Sequence, residues 1–538
     1  MAEPSVVATY HQRSKHQLQR YAAGPETLDW DAQPNPFRVW SGASSLRLPL
    51  CAHDLKPRWA DLAPPGCIAP VALGQRAVAA LLELCLGLTA WKQLGPDRWA
   101  LRANPSSGNL HPIEGYVVAR GVPGLPDGVH HYDPRDHALA HRHVWSASSE
   151  GDVPALWVAF SVIQWREAWK YGERAFRYCE LDAGHALGAL RYAAAALGWQ
   201  VCPLLERGDQ AVAQLLGLDR DADFGLAERE VPVMLCRVGP SSADTETWPP
   251  TMPGEWHGQA NRLDRHPMYR WPVIDEVTQA TARPGSVAVV TPWKAALSQG
   301  DAAHVRRADL SLSTLIRGRR SAQQFDRRAT MPLDVFCRLV AALTPEAGVP
   351  WDAWREPIRV HPVVFAHRVE GLSPGAYALV RDPAALASLQ SGLGANLAWT
   401  PVLEVSGDLP LWRLADHPAL AGTLRTLSCH QAIASDACVA VSMLAAWPED
   451  AGSEPWVYRS VLREAGLMGQ VLYLQAEAEG FRGTGIGCYF DDAVHELLGR
   501  RDAAWQVMYH FTVGVPLTDS RMVTEPPYAH RPPLADDA

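Results

Sequence analysis

The sequence predicts an α+β protein built from two related units fused in one chain. Three observations carry this prediction: the length of the chain, a segment that recurs at a constant offset, and helix and strand patterns in both copies. The chain has 538 residues, of which 47% are hydrophobic and 20% charged, as in ordinary globular proteins. At ~150 residues per domain, this length allows two to four domains. A single small module is therefore excluded.

The repeat is clearest where Ala183–Gly217 aligns with Ala465–Gly499 without a gap, at a constant offset of 282 residues. Twelve of the 35 aligned positions are identical, including Asp209 with Asp491 and three glycine pairs. Two helices rich in Ala and Leu could match by composition alone, but that does not explain matched glycines both inside and beyond the helix. A gene duplication is the favoured interpretation.

Each copy of this repeat predicts a long buried helix followed by a strand. Apolar residues recur at helical spacing between Ala183 and Leu197, and Gly198 stands where a helix takes a left-handed C-cap. Further on, Val231–Val238 and Val507–Val515 are apolar runs that predict strands at matching places in the two halves. We therefore expect each half of the chain to contain one unit of mixed helices and strands.

A second matched pair lies earlier in each half. Tyr116–Gly128 and Val363–Gly375 both predict a strand that ends in a Pro/Gly turn. Their offset is 247 residues, so the second half carries about 35 extra residues between its matched segments. The chain is predicted to divide into five parts. These are an N-terminal arm (1–65), a first domain (66–240), a proline-interrupted crossover linker (241–305), a second domain (306–525) and a tail (526–538).

Charge and cysteine content narrow the functional classes. With 49 Lys and Arg against 58 Asp and Glu, the formal charge is -9, so neither nucleic acid nor membrane is an expected partner. The ten cysteines include no C-x-x-C, and the histidines at 130–131 and 137–143 lack matched ligands nearby, so no metal is expected. The sequence shows no apolar leader and no membrane-spanning stretch, which predicts a cytoplasmic location.

The sharpest local motif is Arg317–Asp326, which precedes a predicted helix at Leu333–Leu343. Within it, Arg319 and Arg320 offer planar donor forks and Ser321 offers a hydroxyl. Such groups in front of a helix suit a phosphate monoester. The alternative is a solvated basic turn without a ligand.

This segment resembles the R-R-S-x-x-x-F motif of the FMN-dependent nitroreductase superfamily, in which the arginines and the serine hold the flavin phosphate and ribityl chain. A second signature agrees, because 104–118 resembles the P-S-x-G-x-x-x-P-x-E-x-Y-V-V segment of the SagB/McbC-type (SagB/ThcOx) azoline dehydrogenase branch. The resemblance covers roughly residues 75–238 and 308–520. By the resemblance, three residues of this second segment contact the flavin ring, Pro105, Ser106 and Ser107.

The two halves lack complementary parts of these signatures. The first half has no R-R-S motif, and the second half has 355–362 (REPIRVHP) where the first has its Pro-Ser-Ser turn. Superfamily sites form across a twofold dimer interface, with phosphate contacts from one subunit and ring contacts from the other. The resemblance therefore implies two fused nitroreductase-like domains, each an antiparallel or mixed sheet flanked by helices. The resemblance also implies that the two domains form an intramolecular pseudo-dimer with one FMN. Such a chain can be a monomer, and its oligomeric state stays open.

Further site residues follow from the same resemblance. Gly485, Gly487 and Cys488 lie where family members pass backbone amides close to the flavin, and glycine permits such an approach. The alternative is an ordinary loop at the end of a helix. Arg521 matches a late basic residue that closes the phosphate pocket, and the alternative there is a plain surface arginine.

Lys170 and Tyr171 are the predicted catalytic residues. A lysine beside an apolar flavin loses its charge more easily, and a neighbouring phenol can relay a proton. A solvated helix face is the alternative. The expected function is an FMN-dependent dehydrogenase of an azoline-like small or peptidic substrate. An NAD(P)H-dependent nitro, quinone or enone reductase and a flavin-binding scaffold of a biosynthetic complex remain open, with NAD(P)H and O2 as candidate co-substrates.

Overall fold

Two antiparallel sheets, one from each half of the chain, enclose a central pair of long helices in this computed structural model. The structure describes residues 5–62, 67–146, 153–240, 247–285, 308–345, 348–405, 409–446, 454–500, 504–532 and 534. Parts of the predicted linker, at 241–246 and 286–305, lie outside the described residues.

The helices of the first half and linker are α1 (Val6–Arg13), α2 (Gln75–Cys85), α3 (Gln164–Tyr171), α4 (Ala175–Ala196), α5 (Asp209–Leu216), α6 (Asp221–Phe224) and α7 (Pro272–Ala280). Those of the second half are α8 (Leu312–Gly318), α9 (Leu333–Ala341), α10 (Leu386–Gly392), α11 (Leu420–Leu427), α12 (Ala432–Asp436), α13 (Val457–Ala478) and α14 (Asp491–Leu497). Within the described ranges, no helix is both long and apolar enough to cross a membrane.

The strands of the first half and linker are β1 (Trp40–Ser41), β2 (Ser44–Arg47), β3 (Leu88–Leu94), β4 (Asp97–Arg102), β5 (Ile113–Arg120), β6 (Gly128–Asp133), β7 (Ala138–Trp145), β8 (Ala155–Val162), β9 (Gln200–Pro203), β10 (Val231–Gly239), β11 (Gly254–Trp256) and β12 (Gln259–Ala260). Those of the second half are β13 (Val360–Ala366), β14 (Gly375–Leu379), β15 (Thr400–Pro401), β16 (Leu411–Asp416), β17 (Val439–Ala446), β18 (Arg482–Ile486), β19 (Trp505–Gly514) and β20 (Val523–Glu525).

The two large sheets share one strand order. The first runs β11-β7-β6-β5-β8-β10-β9 and the second β15-β16-β14-β13-β17-β19-β18, so five central strands correspond one to one. Their registers correspond as well, because Tyr116 faces His131 in the first sheet and Val363 faces Ala378 in the second. Both pairs differ by the offset of 247 residues seen in the sequence. The predicted α+β fold of antiparallel sheets flanked by helices is confirmed.

The central helices α4 and α13 cross at two glycines. A Cβ atom added to Gly184 would lie 2.0 Å from the carbonyl oxygen of Arg463, and one added to Gly466 would lie 2.0 Å from that of Leu181. Each contact maps onto the other when 282 is added to or subtracted from its residue numbers. The repeated glycines of the sequence therefore allow backbone contact at the helix crossing.

Ion pairs across the two halves obey the same relation. Arg177 binds Asp491 at 2.8 Å, and Arg459 binds Asp209 at 3.0 Å. Each residue of the first pair has its counterpart in the second at the offset of 282. Reciprocal contacts of this kind define an isologous interface, here within a single chain.

The predicted elements match the structure with shifted ends. The long helix begins at Ala175, earlier than its apolar pattern indicated, and Gly198 beyond its end has a φ of 67° as expected for a left-handed cap. The helix predicted at Leu333–Leu343 ends at Ala341. The additional residues of the second half contribute α10, α11 and α12, which have no counterpart in the first half among the residues described.

Candidate functional site

A cavity of about 450 Å³ lies between the two halves. Its walls come from the loop after β4, from α3 and α4, from the segment after α8, and from β18 with the loop that follows it. Its size is typical of sites for small molecules and cofactors. Nine of the ten predicted cofactor-binding residues line it, namely Pro105, Ser106, Ser107, Arg319, Arg320, Ser321, Gly485, Gly487 and Cys488.

One end of this cavity is rich in arginine. Arg319 is 4% exposed, and its guanidinium donates to the carbonyl oxygens of Ala103 and Arg102 at 3.2 and 3.1 Å. Its Nη1 atom is buried without a hydrogen-bond partner, and burial lowers the pKa of the side chain. A buried guanidinium nitrogen without an acceptor is costly, so an anionic ligand would stabilise this end.

Three further cations line the same end. Burial, and then the neighbouring guanidinium, lower the pKa of Arg320 to about 10. Lys92 also has a lowered pKa, through burial and through repulsion from Arg320 and Arg482. A carboxylate oxygen of Glu477 accepts a hydrogen bond from Arg482 at 2.9 Å. Of these four cations, Arg482 alone forms a salt bridge among the residues that the structure describes, which leaves net positive charge at this end.

Ser321 joins the cationic end to the edge strand β18. The Ser321 hydroxyl forms a 2.9 Å hydrogen bond with the hydroxyl of Tyr473. The same Tyr473 hydroxyl accepts a hydrogen bond from the backbone N–H of Gly485 at 3.0 Å. A Cβ atom at Gly485 would lie 1.8 Å from the hydroxyl oxygen of Tyr509. A larger residue where the strand passes the cavity would therefore displace the Tyr509 side chain.

The loop after β18 continues this wall. A Cβ atom at Gly487 would lie 2.3 Å from the ring of Tyr178, so this position also excludes other residues. The carbonyl of Gly487 accepts hydrogen bonds from the Arg174 guanidinium at 3.1 and 3.0 Å. Cys488 follows as part of the lining. Arg174 thus holds this segment in place, and the segment forms part of the cavity wall.

The opposite wall is the turn that carries Ser106 and Ser107. The backbone N–H of Ser107 donates to the Asp182 carboxylate at 3.2 Å, and its hydroxyl does so at 3.1 Å. Burial raises the pKa of Asp182 to about 7. The Ser106 hydroxyl accepts the N–H of His111 at 2.8 Å. These bonds hold the turn against α4.

The predicted catalytic pair is divided by the structure. Tyr171 lines the cavity, and a Cβ atom at Gly108 would lie 2.3 Å from its hydroxyl oxygen. Burial raises the pKa of Tyr171 well above its usual value, so the phenol is neutral. Lys170 does not line the cavity. Its Nζ lies 5.5 Å from the ring centre of Trp30 and 5.4 Å from that of Tyr171, and burial lowers its pKa.

Arg521 stands apart from the other predicted cofactor-binding residues. Its side chain is 77% exposed, does not line the cavity, and pairs with Asp519 at 2.7 Å. Asp519 itself is part of the lining. The structure therefore places this guanidinium outside the arginine-rich end.

Several lining residues were not singled out by the sequence motifs. Asp182 lies in a stretch that matches the family, yet its hydrogen bonds to the serine turn emerge only from the folded chain. Gln431 comes from the segment between α11 and α12, for which no motif exists. The other polar lining residues that no motif singled out are Lys92, Arg102, Tyr473, Arg482, Thr484, Tyr509, Thr518, Asp519 and Thr524.

The place related to this cavity by the internal repeat is occupied by side chains. At the offset of 282, Gly485 corresponds to Pro203. The Arg355 guanidinium lies 2.8 Å from the sulfur of Cys202 and 3.4 Å from the carbonyl oxygen of Pro203. Beside it, Arg283 of the linker pairs with Glu356 at 3.0 Å. Over the part of the chain that the structure describes, no group of three His, Cys, Asp or Glu could hold a metal ion.

Part of the first half is similar to known proteins. Residues 82–239 match the model of the Nitroreductase family. The chain is 26% identical to the "Putative nitroreductase MJ1384" of Methanocaldococcus jannaschii over 183 residues, which cover 32% of this chain and 83% of that protein. Within the first half, residues 82–239 are therefore similar to this family.

Solved structures resemble this chain over different lengths, and one of them covers nearly all of it. The crystal structure of a putative nitroreductase from Anabaena variabilis matches with a TM-score of 0.69 and 21% identity, covering 96% of this chain and 100% of that one. A chain of the E. coli microcin synthetase McbBCD complex, with truncated pro-MccB17 bound, matches 45% of this chain and 95% of its own at 19% identity and a TM-score of 0.27. The Anabaena structure shows that both halves together adopt the nitroreductase-like fold.

Proposed function

We propose that this protein is an FMN-dependent oxidoreductase whose flavin site is the cavity between the two halves. The observation that carries the proposal is the buried, unpartnered Nη1 of Arg319 beside Arg320 and Arg482. A phosphate monoester carries close to two negative charges and three strong acceptor oxygens at neutral pH. Such a group satisfies the excess of donors and the excess of positive charge together.

The rest of the lining fits the remainder of the cofactor. Ser321 is placed to contact the ribityl chain beside the phosphate end. Gly485 and Gly487 keep their wall free of side chains, which suits a flat ring, and the turn at Ser106 and Ser107 faces them from the other half. When bound, FMN supplies the site with a two-electron acceptor or donor.

For the reaction, we propose the dehydrogenation of an azoline-like ring on a small molecule or peptide. In this proposal Tyr171 touches the substrate, and its support is that the neutral phenol lines the cavity. Lys170 lies behind it with a pKa lowered by burial, and is suited to accept a proton that passes through the phenol. Asp182 holds the serine turn through three hydrogen bonds and so shapes the same wall.

The second candidate is an NAD(P)H-dependent reductase of nitro, quinone or enone compounds. It is favoured by the relatives in Methanocaldococcus jannaschii and Anabaena variabilis, both described as putative nitroreductases. The polar lining and the size of the cavity accept either class of substrate. A flavin-binding scaffold without turnover is the third alternative.

One set of assays separates these functions. Protein reconstituted with FMN is incubated with a synthetic thiazoline-containing dipeptide under air, and separately with NADPH and nitrofurazone without oxygen. A product two mass units lighter than the thiazoline supports the dehydrogenase, and nitro reduction alone supports the reductase. Flavin binding without either reaction supports the scaffold, whereas failure to bind FMN rejects the proposal.

A further inference from the structure

Two cysteines meet in the wall of the cavity. Cys488 lines the cavity, and its carbonyl accepts a hydrogen bond at 3.1 Å from Gln431, two residues after Cys429. Cys429 is also the largest influence on the pKa of the Cys488 thiol. We call Cys429 and Cys488 the cysteine pair. Cys429 belongs to the segment after α11, which has no counterpart in the first half among the described residues. Both side chains are half-buried, so the pair is neither sealed in the core nor fully open to solvent.

The backbones that carry the cysteine pair are tied together on both sides of it. The N–H of Phe490 donates to the carbonyl of Leu427 at 2.8 Å. The side-chain amide of Gln431 donates to the carbonyls of Ser428 and Cys488 at 2.8 and 3.1 Å. These bonds flank the two cysteines and hold the segments that carry them side by side, as bond formation between their sulfur atoms requires.

His16 completes the cluster from the N-terminal arm. Its Nδ1 accepts the backbone N–H of Ala22 at 2.9 Å, so the ring proton of the neutral imidazole lies on Nε2. The other nitrogen thereby carries the donor proton. The carbonyl of His16 accepts the backbone N–H of Asp491 at 3.1 Å, which holds the imidazole beside the segment of Cys488, and His16 lowers the pKa of that thiol. Arg174 also lies close, paired with Asp491 at 3.0 Å, and the half-exposed Tyr21 faces the same two sulfurs.

These surroundings divide the cysteine pair into two chemical roles. Cys429 lowers the pKa of Cys488, and His16 and Arg174 lower it further against the opposing effect of burial. Cys488, together with burial, raises the pKa of Cys429. One sulfur is thus favoured as the thiolate and the other as the thiol. The buried Cys51 and Cys438 have instead pKa values raised by burial, to about 12 and about 11.

We propose that Cys429 and Cys488 form a thiol–disulfide exchange site for low-molecular-weight disulfides, with Cys488 as the attacking sulfur and Cys429 as the resolving one. The Cys488 thiolate attacks one sulfur of the disulfide, forms a mixed disulfide and releases the first thiolate. Cys429 then gives its proton to solvent and attacks the Cys488 sulfur, which releases the second thiolate. Two protein thiols are oxidised, and one disulfide is reduced to two thiols. This site stands on the cysteine cluster alone and does not depend on the proposed flavin chemistry.

The test is thiol exchange with glutathione disulfide, read by mass spectrometry. All proteins carry Cys67→Ser, because Cys67 is exposed and reacts by itself. The parent should lose two thiols, gain no glutathione and yield a cross-linked peptide pair containing Cys429 and Cys488. Cys429→Ser should stop at one glutathione on Cys488, because no resolving sulfur remains. Cys488→Ser should form no cross-linked peptide pair, and it should gain glutathione more slowly than the parent loses its thiols.

A second measurement follows the identity of the attacking sulfur. The rate of iodoacetamide labelling at Cys488 should be nearly constant between pH 6 and 8. An ordinary thiol, by contrast, labels about tenfold faster with each unit by which the pH rises toward its pKa. His16→Gln should restore part of the ordinary slope. Cys337→Ser, at a half-buried cysteine that does not line the cavity, is the control and should exchange like the parent.

Three results would overturn the proposal. One is a parent protein whose two cysteines stay reduced over a full series of glutathione disulfide to glutathione ratios. Another is a Cys429→Ser variant that gains no glutathione while its circular dichroism spectrum matches that of the parent. The third is a labelling rate at Cys488 with the ordinary slope. Because each readout uses mass or labelling, failure of the flavin assays would leave these outcomes unaffected.

Discussion

Arg320 carries the clearest residue-level consequence of the cationic end. Its loss removes charge-assisted hydrogen bonds from the proposed phosphate position, each worth about 1.5–3 kcal/mol. We expect Arg320→Ala to weaken FMN binding by roughly ten- to a hundredfold in a fluorescence titration, and Arg319→Ala to act alike. Arg521→Ala is the comparison, since its guanidinium is exposed and paired with Asp519. Equal losses in all three variants would mean that Arg521 reaches the phosphate after all.

Tyr171 and Lys170 separate chemistry from cofactor binding. Tyr171→Phe and Lys170→Ala should retain a full complement of FMN, because neither side chain lies at the arginine-rich end. Substrate oxidation should fall ~100-fold or more if the pair moves a proton, whereas reduction of the flavin by NAD(P)H should change little. Both half-reactions are measured by stopped-flow absorbance. Equal large losses would indicate a general disturbance of the cavity, and unchanged oxidation would reject the pair as catalytic.

Asp182 predicts a pH dependence of stability. Burial raises its pKa from the ordinary value of 3.8 to about 7 in the fold. A carboxyl that prefers its protonated form when folded stabilises the fold fully below pH ~4, and this contribution is lost as the pH rises through ~7. By linkage it is of the order of 4 kcal/mol. We expect Asp182→Asn to flatten the free energy of unfolding between pH 4 and 7, measured in urea.

Exposed Asp97 provides the control for this experiment. Asp97→Asn should follow the wild-type pH profile, because its carboxyl is not buried in the fold. A profile of Asp182→Asn that parallels the wild type would show that another group, such as the buried Glu167, carries the dependence.

At the scale of elements, the crossing of α4 and α13 is the most constrained contact of the fold. Gly184→Ala places a methyl group 2.0 Å from the Arg463 carbonyl oxygen, and neither helix backbone can move away without disturbing the core. We expect the free energy of unfolding to fall by at least about 1–3 kcal/mol. Gly422→Ala is the matched control within α11, where an added Cβ meets nothing within 4 Å. It should be neutral or stabilise by up to ~1 kcal/mol.

The elements show what local sequence patterns can determine. The strand and helix pairs were predictable because each pattern occurs twice in the sequence, and a matched glycine or aspartate carries more information than either occurrence alone. The ends were less predictable: α4 begins at Ala175 because its first turns pack against α3 and the second half, which no local pattern records. The segment with Cys429 and Gln431 has no second copy, so its contribution to the cavity could not be read from the repeat.

At the scale of the whole molecule, long-range contacts decide what the sequence motifs could not. The N-terminal arm reaches the second half, where His11 hydrogen-bonds Gln506 and Lys15 pairs with Asp492 at 2.8 Å. From the other end, the hydroxyl of Tyr528 accepts the N–H of Leu88 at 2.8 Å. These partners are separated by hundreds of residues, and side chains of this kind show no periodicity. Only the folded chain brings them together.

The whole molecule also predicts its cofactor stoichiometry. The complete cavity combines the arginine-rich end and glycine wall of the second half with the serine turn and Tyr171 of the first. At the place related by the repeat, Arg355 lies against Pro203, and no R-R-S motif exists to supply a second phosphate site.

We therefore expect one FMN per chain, released on denaturation and measured by absorbance against protein concentration, with the chain monomeric in light scattering. Arg355→Ala should leave this ratio at one, because removing one side chain does not create the missing arginine and serine ligands. A ratio near two in the wild-type protein would show that the first half holds a phosphate by other residues, and the pseudo-dimer with one site would then be wrong.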